Sequence, residues 1–132
     1  ATLINTNTPI SYGAWRVHGI SEQMLAGKPA PEEVWPWFLE FVGNCPLVAH
    51  NAPFDRAMIN HELHLLGMPF ENPWHCTVRL SRRKLPRLQN HRLDTVYRHL
   101  FGPVPSGLNR HRALDDALMA ARIWMELGGE MI

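Results

Sequence analysis

The chain has 132 residues, 45% of them hydrophobic, which is enough for one domain with a core of its own. Its formal net charge of +1 does not by itself single out a polyanionic partner. No apolar run approaches the ~18 residues of a membrane helix, no basic-then-apolar leader opens the chain, and Cys45 and Cys76 form no CxxC pair, so the expectation is a cytoplasmic protein with two reduced core thiols and no membrane partner.

Taken in order, Thr2-Leu3-Ile4-Asn5 is β-prone and predicts an edge strand. Ser11 to Arg16 reads as loop or a single turn, and Ser21 is placed to cap a short helix through Met24 and Leu25. Gly27-Lys28-Pro29 breaks it, and Pro31-Glu32-Glu33 begins the next helix, with acidic residues in the first turn. Val34, Trp37, Phe38 and Phe41 recur at helical spacing and predict its core face, and Gly43-Asn44 ends it. Leu47-Val48-Ala49 follows as a strand, then a helix from Pro53 to about Leu66, stopped by Gly67-Met68-Pro69. Trp74 to Thr77 predicts a second short strand, and a helix starts at Thr77 and is interrupted by Pro86. Leu93 to Leu100 predicts an amphipathic helix opened by Asp94 as cap, and Arg112 to Leu127 the last one. Strands alternating with helices define an α/β fold.

Asp55 sits just inside a helix start, beyond the carboxyl end of the strand over Leu47–Ala49, where open α/β sheets place ligands. It shares a stripe with Ile59 and Leu66. In the last helix Asp116 shares a stripe with Ala113, Ala117, Ala120 and Trp124, the predicted sheet-packing side. Asp115 falls with Met119, Arg122 and Glu126, the predicted solvated side. A carboxylate on an apolar face is expensive unless paired or bound to a cation. Two readings follow from pattern alone. Each aspartate caps its own helix, or Asp55 and Asp116 share a divalent-metal site, whose oxygen ligands suit Mg2+ or Mn2+. His111, leading into the last helix, is either a surface histidine or a general base for a metal-bound water.

Three segments in order carry a resemblance: His18-Gly19-Ile20-Ser21, His50-Asn51-Ala52-Pro53-Phe54-Asp55 and His111-Arg112-Ala113-Leu114-Asp115-Asp116. They resemble the HGI-S/T, HNAxFD and HxAxxD motifs of the DEDDh 3'→5' exonucleases, the DnaQ-like group that includes the proofreading epsilon subunit of bacterial DNA polymerase III. A weaker match joins Asn90 to Leu93-Asp94. The resemblance implies an RNase H-like α/β fold, a mixed sheet flanked by helices, in one exonuclease-like domain spanning 1–132. It also implies release of nucleoside 5'-monophosphates from DNA, or RNA, 3' ends with two Mg2+ or Mn2+ ions, and a DNA polymerase subunit as partner. Carried over residue by residue, Asp55 and Asp116 are metal ligands and catalytic, and His111 is the general base. His18, Asn51 and Phe54 bind the terminal nucleotide.

One motif of that family is absent. Its Asp-x-Glu belongs on an opening strand upstream of Thr2-Leu3-Ile4, which resembles the family's third strand, and no Asp-x-Glu occurs in this chain. The expectation is an N-terminally truncated domain lacking its first strands. It is either a fragment of a longer enzyme, inactive on its own, or a non-catalytic nucleic-acid- or polymerase-binding module of the same fold. Elsewhere, His61-Glu62-Leu63-His64 is one residue short of the HExxH zinc motif and reads as a solvated helix face. Arg79, Arg82, Arg83, Lys84 and Arg87 form a basic run that is either a phosphate contact or an exposed face. Trp35, Trp37 and Trp124 read as core aromatics.

Overall fold

The computed structural model describes residues 2–6, 8–108 and 112–128. They form two compact units, Ala1–Asn44 and Cys45–Ile132. In the first, α1 (Tyr12–His18) is capped by the Ser11 hydroxyl, which accepts from the Ala14 N–H at 3.1 Å, and closes on Gly19 in the left-handed conformation (φ 69°). α2 (Glu22–Leu25) is capped by Ser21 as the sequence predicts, and α3 (Pro31–Val42) opens on its proline. Ser11 to Arg16 is thus the cap and first part of a helix that runs on to His18, longer than the predicted loop or single turn. Thr2–Asn5 forms no strand, and the Asn5 N–H donates to the Pro29 carbonyl at 3.0 Å.

The face of α3 is also shifted. Trp37 is 59% exposed and Phe41 90% exposed, whereas Val42 is buried and Trp35 meets Phe38 edge-on, with ring centroids 5.4 Å apart. Of the predicted stripe Val34, Trp37, Phe38 and Phe41, Val34 and Phe38 are half-buried while Trp37 and Phe41 are exposed, and Trp35 and Val42 turn inward in their place. Apolar residues fill most of Val34 to Val42, so the period is kept but its phase is not fixed.

The second unit is built on β1 (Leu47–Ala49) and β2 (Trp74–Cys76), paired in parallel with Leu47 opposite Trp74, Val48 opposite His75 and Ala49 opposite Cys76. α4 (Ala52–Leu65) is the crossover between them and packs on both strands. α5 (Thr77–Lys84), α6 (Leu93–Phe101) and α7 (Ala113–Glu126) complete it. α7 packs on β1, α5 and α6. The core joins Leu93, Val96 and Tyr97 of α6 to Met119, Ala120 and Ile123 of α7. Tyr97 is buried, yet its hydroxyl accepts from Arg122 Nη1 at 2.6 Å, and that guanidinium lies 4.2 Å above the Phe101 ring centre. Arg122 is exposed, as predicted, while its guanidinium covers the edge of the core.

In α7 the prediction of faces holds in part. Asp116 does lie on the stripe that contains buried Ala120 and Trp124, but Ala113 and Ala117 are exposed and Met119 is fully buried. Met119 is three residues after Asp116 and four after Asp115, so it belongs to both stripes, and its larger apolar surface decides the rotation over that of two alanines. Asp115 is accordingly half-buried. Cys45 is exposed, not a core thiol, and both cysteines are free. Among the described residues no helix is long and apolar enough to cross a membrane.

Candidate active site

Asp55 lies in the first turn of α4 and Asp116 in the first turn of α7, and both helices pack on β1. Both aspartates are half-buried. The structure thus brings the two predicted carboxylates onto helices sharing one strand. Burial pushes the Asp55 carboxyl above its ordinary range, with a hydrogen bond from its own backbone partly opposing the shift. A carboxylate in that position gains from a nearby cation, and its oxygens are the donor type Mg2+ and Mn2+ take. Among the described residues no group of three or more metal-ligating side chains gathers, so the donor chemistry fits while the described donors number two.

The turn before α4 is set by Asn51, the one residue other than glycine with positive φ among those described (φ 70°, ψ 56°). Asparagine tolerates this left-handed conformation better than other side chains with a Cβ. Asn51 makes no side-chain cap to its own helix, and its carbonyl accepts from the Phe54 N–H at 3.0 Å. Phe54, one residue before Asp55, is 61% exposed. Replacing Asn51 with alanine is expected to lower stability by about 1 kcal/mol, while Asn51→Gly keeps most of it, because only the former forces a methyl group into the left-handed region. Urea unfolding of the three proteins checks this; equal midpoints for Asn and Ala would show that the turn is unstrained.

Sequence reasoning assigned no role to His50, and the structure gives it one. Its Nε2 donates to the His91 carbonyl at 2.7 Å, and its Nδ1 is hydrogen-bonded to the Thr77 hydroxyl at 2.8 Å. His91 Nδ1 in turn meets the buried Ser81 hydroxyl at 2.8 Å. With both nitrogens engaged, His50 is a strut joining the end of β1 to α5 and to the segment before α6. The parallel register carries the signal for this: Ala49 faces Cys76, so His50 and Thr77, the next residue along each strand, become neighbours. Cys76 sits at the same junction. Burial raises its thiol, but hydrogen bonds from the backbone N–H groups of Arg79, Ala52, Val78 and Asn51 more than offset this and bring it below the ordinary thiol value.

Of the other predicted site residues, His18 ends α1 in the first unit, where its Nδ1 accepts from the Ile20 N–H at 2.9 Å. His111 lies outside the described residues. Asp94 is not the cap of α6: Arg92 holds that position, and the Asp94 carboxylate accepts from the Thr95 N–H at 3.0 Å inside the first turn.

The chain belongs to the exonuclease family, whose pattern matches residues 1–124. It is 39% identical over 123 residues to DNA polymerase III PolC-type from Clostridium perfringens, covering 93% of this chain and 8% of that protein. It is 38% identical over 117 residues to DNA polymerase III subunit epsilon from Aquifex aeolicus, covering 88% of this chain and 56% of the relative. Among solved structures, Exonuclease X in complex with 5' overhanging duplex DNA superposes with a TM-score of 0.71 at 34% identity, covering 95% of this chain and 69% of that one. The chain therefore spans about half or less of these polymerase III relatives. The resemblance read from the motifs is borne out, and the α/β architecture is that of the RNase H-like exonucleases.

Proposed function

We propose that this chain is the exonuclease domain, over 1–132, of a divalent-metal-dependent 3'→5' exonuclease. It hydrolyses phosphodiester bonds at DNA 3' ends and releases nucleoside 5'-monophosphates. The observation that carries this is the placement of Asp55 and Asp116, two half-buried carboxylates in the first turns of two helices packed on one strand, in a chain of the exonuclease family. Asp55 and Asp116 would hold Mg2+ or Mn2+, which supplies Lewis-acid stabilisation of charge developing at the phosphate. His111 takes the proton of the attacking water, as a histidine suits near neutral pH. Phe54, exposed beside Asp55, stacks on the terminal base, and Asn51 and His18 orient the terminal nucleotide. Relatives named as parts of DNA polymerase III support a polymerase as protein partner in the cytoplasm, and a structural relative holding duplex DNA supports DNA over RNA.

The protein expressed from its own reading frame is expected to release labelled mononucleotide from a 3'-labelled oligodeoxynucleotide in Mn2+, and EDTA is expected to stop it. Release that survives chelation overturns the metal dependence, and release of label as longer oligonucleotides overturns the exonucleolytic reading. Tight, metal-indifferent binding without release identifies the domain as a non-catalytic binding module.

A further inference from the structure

A cavity of about 580 Å3 opens in the second unit between the start of α4, α5 and the start of α6. Arg79, Arg82 and Arg92 line it together with His91, Cys76 and Asn51, and no aspartate or glutamate does. All three arginines are exposed, and among the described residues none of their guanidinium groups is held in an ion pair or a hydrogen bond. An array of uncompensated guanidinium groups around one concavity raises the local positive potential and matches the oxygens of phosphate in pairs. The backbone adds to it. Asn51, Cys76 and Arg92 are the N-cap residues of α4, α5 and α6, and none makes a side-chain cap, so three positive helix ends meet at the same cavity. The basic run seen in the sequence is thereby divided: Arg79 and Arg82 line this cavity, while Lys84 and Arg87 border a different depression.

We infer that this arginine-lined cavity holds backbone phosphates of a nucleic-acid strand, at nucleotides internal to the 3' end. The inference takes the identity of the strand from the exonuclease reading; the anion chemistry stands on the cavity alone. Asn51 and Pro53 line the cavity and Asp55 stands one helical turn beyond Asn51, so a strand whose end lies at Asp55 runs its neighbouring phosphates along the arginines. Phosphate contacts of this kind fix register without reading sequence.

The test is fluorescence anisotropy of a single-stranded 20-mer oligodeoxynucleotide in EDTA, where no cleavage intervenes, across a salt series. Each of Arg79→Gln, Arg82→Gln and Arg92→Gln is expected to reduce the slope of log affinity against log salt by about 0.7. The triple variant is expected to lose affinity at low salt and to show a roughly 20-fold smaller fall in affinity between 50 and 200 mM salt. Arg98→Gln, an exposed arginine of α6 outside the cavity, serves as the charge-matched control and is expected to leave the slope nearly unchanged. Thermal melts confirm that each variant is folded. Slopes unchanged in the triple variant, or reduced as much by Arg98→Gln, overturn the inference. Loss of inorganic phosphate binding with oligonucleotide binding intact overturns it too, because the cavity is then a site for small anions. Mononucleotide release is measured separately in Mn2+, so failure of the catalytic reading leaves the binding slopes interpretable.

Discussion

Asp116→Asn is expected to lower the rate of mononucleotide release about 10³-fold while leaving the fold intact. The change keeps the shape of the side chain and removes its charge, so it tests the carboxylate rather than the packing. Asp116 lies on the inward-facing side of α7, four residues before buried Ala120 and three before buried Met119, and is itself half-buried. A neutral amide there forfeits attraction for a cation. A bound divalent ion contributes several kcal/mol to stabilising charge at a phosphate, and each 1.36 kcal/mol is tenfold in rate, which sets the expected size. The neighbouring carboxylate is the control. Asp115→Asn changes the same net charge one position along the same helix turn and is expected to alter the rate by no more than about threefold. Steady-state release from a 3'-labelled oligonucleotide checks both, with Mn2+ titration as the second readout: Asp116→Asn shifts the half-saturating concentration upward and Asp115→Asn does not. Equal losses in the two variants would show that the field of the whole helix start acts, rather than one ligand.

What the sequence discloses about this molecule is mostly its punctuation. β1 lies over the same three residues in sequence and structure, Leu47–Ala49, and α4 starts one residue before the predicted Pro53. α5 ends at Lys84, just ahead of Pro86, and α6 at Phe101, against Gly102. Proline and glycine act locally, through one ring or one missing Cβ, so their effect is legible residue by residue. Facing is not local. Trp37 and Phe41 fit a helical stripe as well as Trp35 and Val42 do, and the choice between them belongs to whatever each meets in three dimensions. The predicted strand at Thr2–Asn5 fails for a related reason, since β propensity describes fitness for a sheet surface and a partner strand must supply it. Site residues divide the same way. The segments that carry Asp55 and Asp116 are legible because their motifs are contiguous, and the structure places both in first helical turns. The His50–Thr77 pair and the arginine cavity join segments 50–53, 76–82 and 91–92, which only the parallel register of β1 and β2 and the helix starts beyond it bring together.

The phase of α7 gives the largest expected effect on stability. A solvated face through Asp115, Met119, Arg122 and Glu126 predicts that Met119→Ala changes almost nothing, within about 0.5 kcal/mol. The structure places Met119 at 0% exposure among Leu93, Val96, Tyr97 and Ile123. Truncation there removes three heavy atoms from a filled core and leaves a cavity lined by side chains fixed on two helices, for an expected loss of about 3 kcal/mol. For a chain of this length that is a fall of roughly 10 °C in melting temperature. Ala117 supplies the opposite test. The same predicted stripe that buried Ala113 and Ala117 makes Ala117→Gln a serious overpacking, costing about 1–3 kcal/mol. Ala117 is exposed, so the substitution is expected to be nearly neutral, since glutamine is a good helix former. Thermal and urea unfolding of both variants read the rotation of the helix directly. A large loss for Met119→Ala beside a neutral Ala117→Gln fixes the phase described here, and the reverse pattern would turn α7 about its axis. The same rotation sets where Asp116 points, because it stands one turn before Met119 and Ala120 on that inward side. The two substitutions thus test, without any assay of activity, whether the helix holds its carboxylate toward the strand it shares with α4.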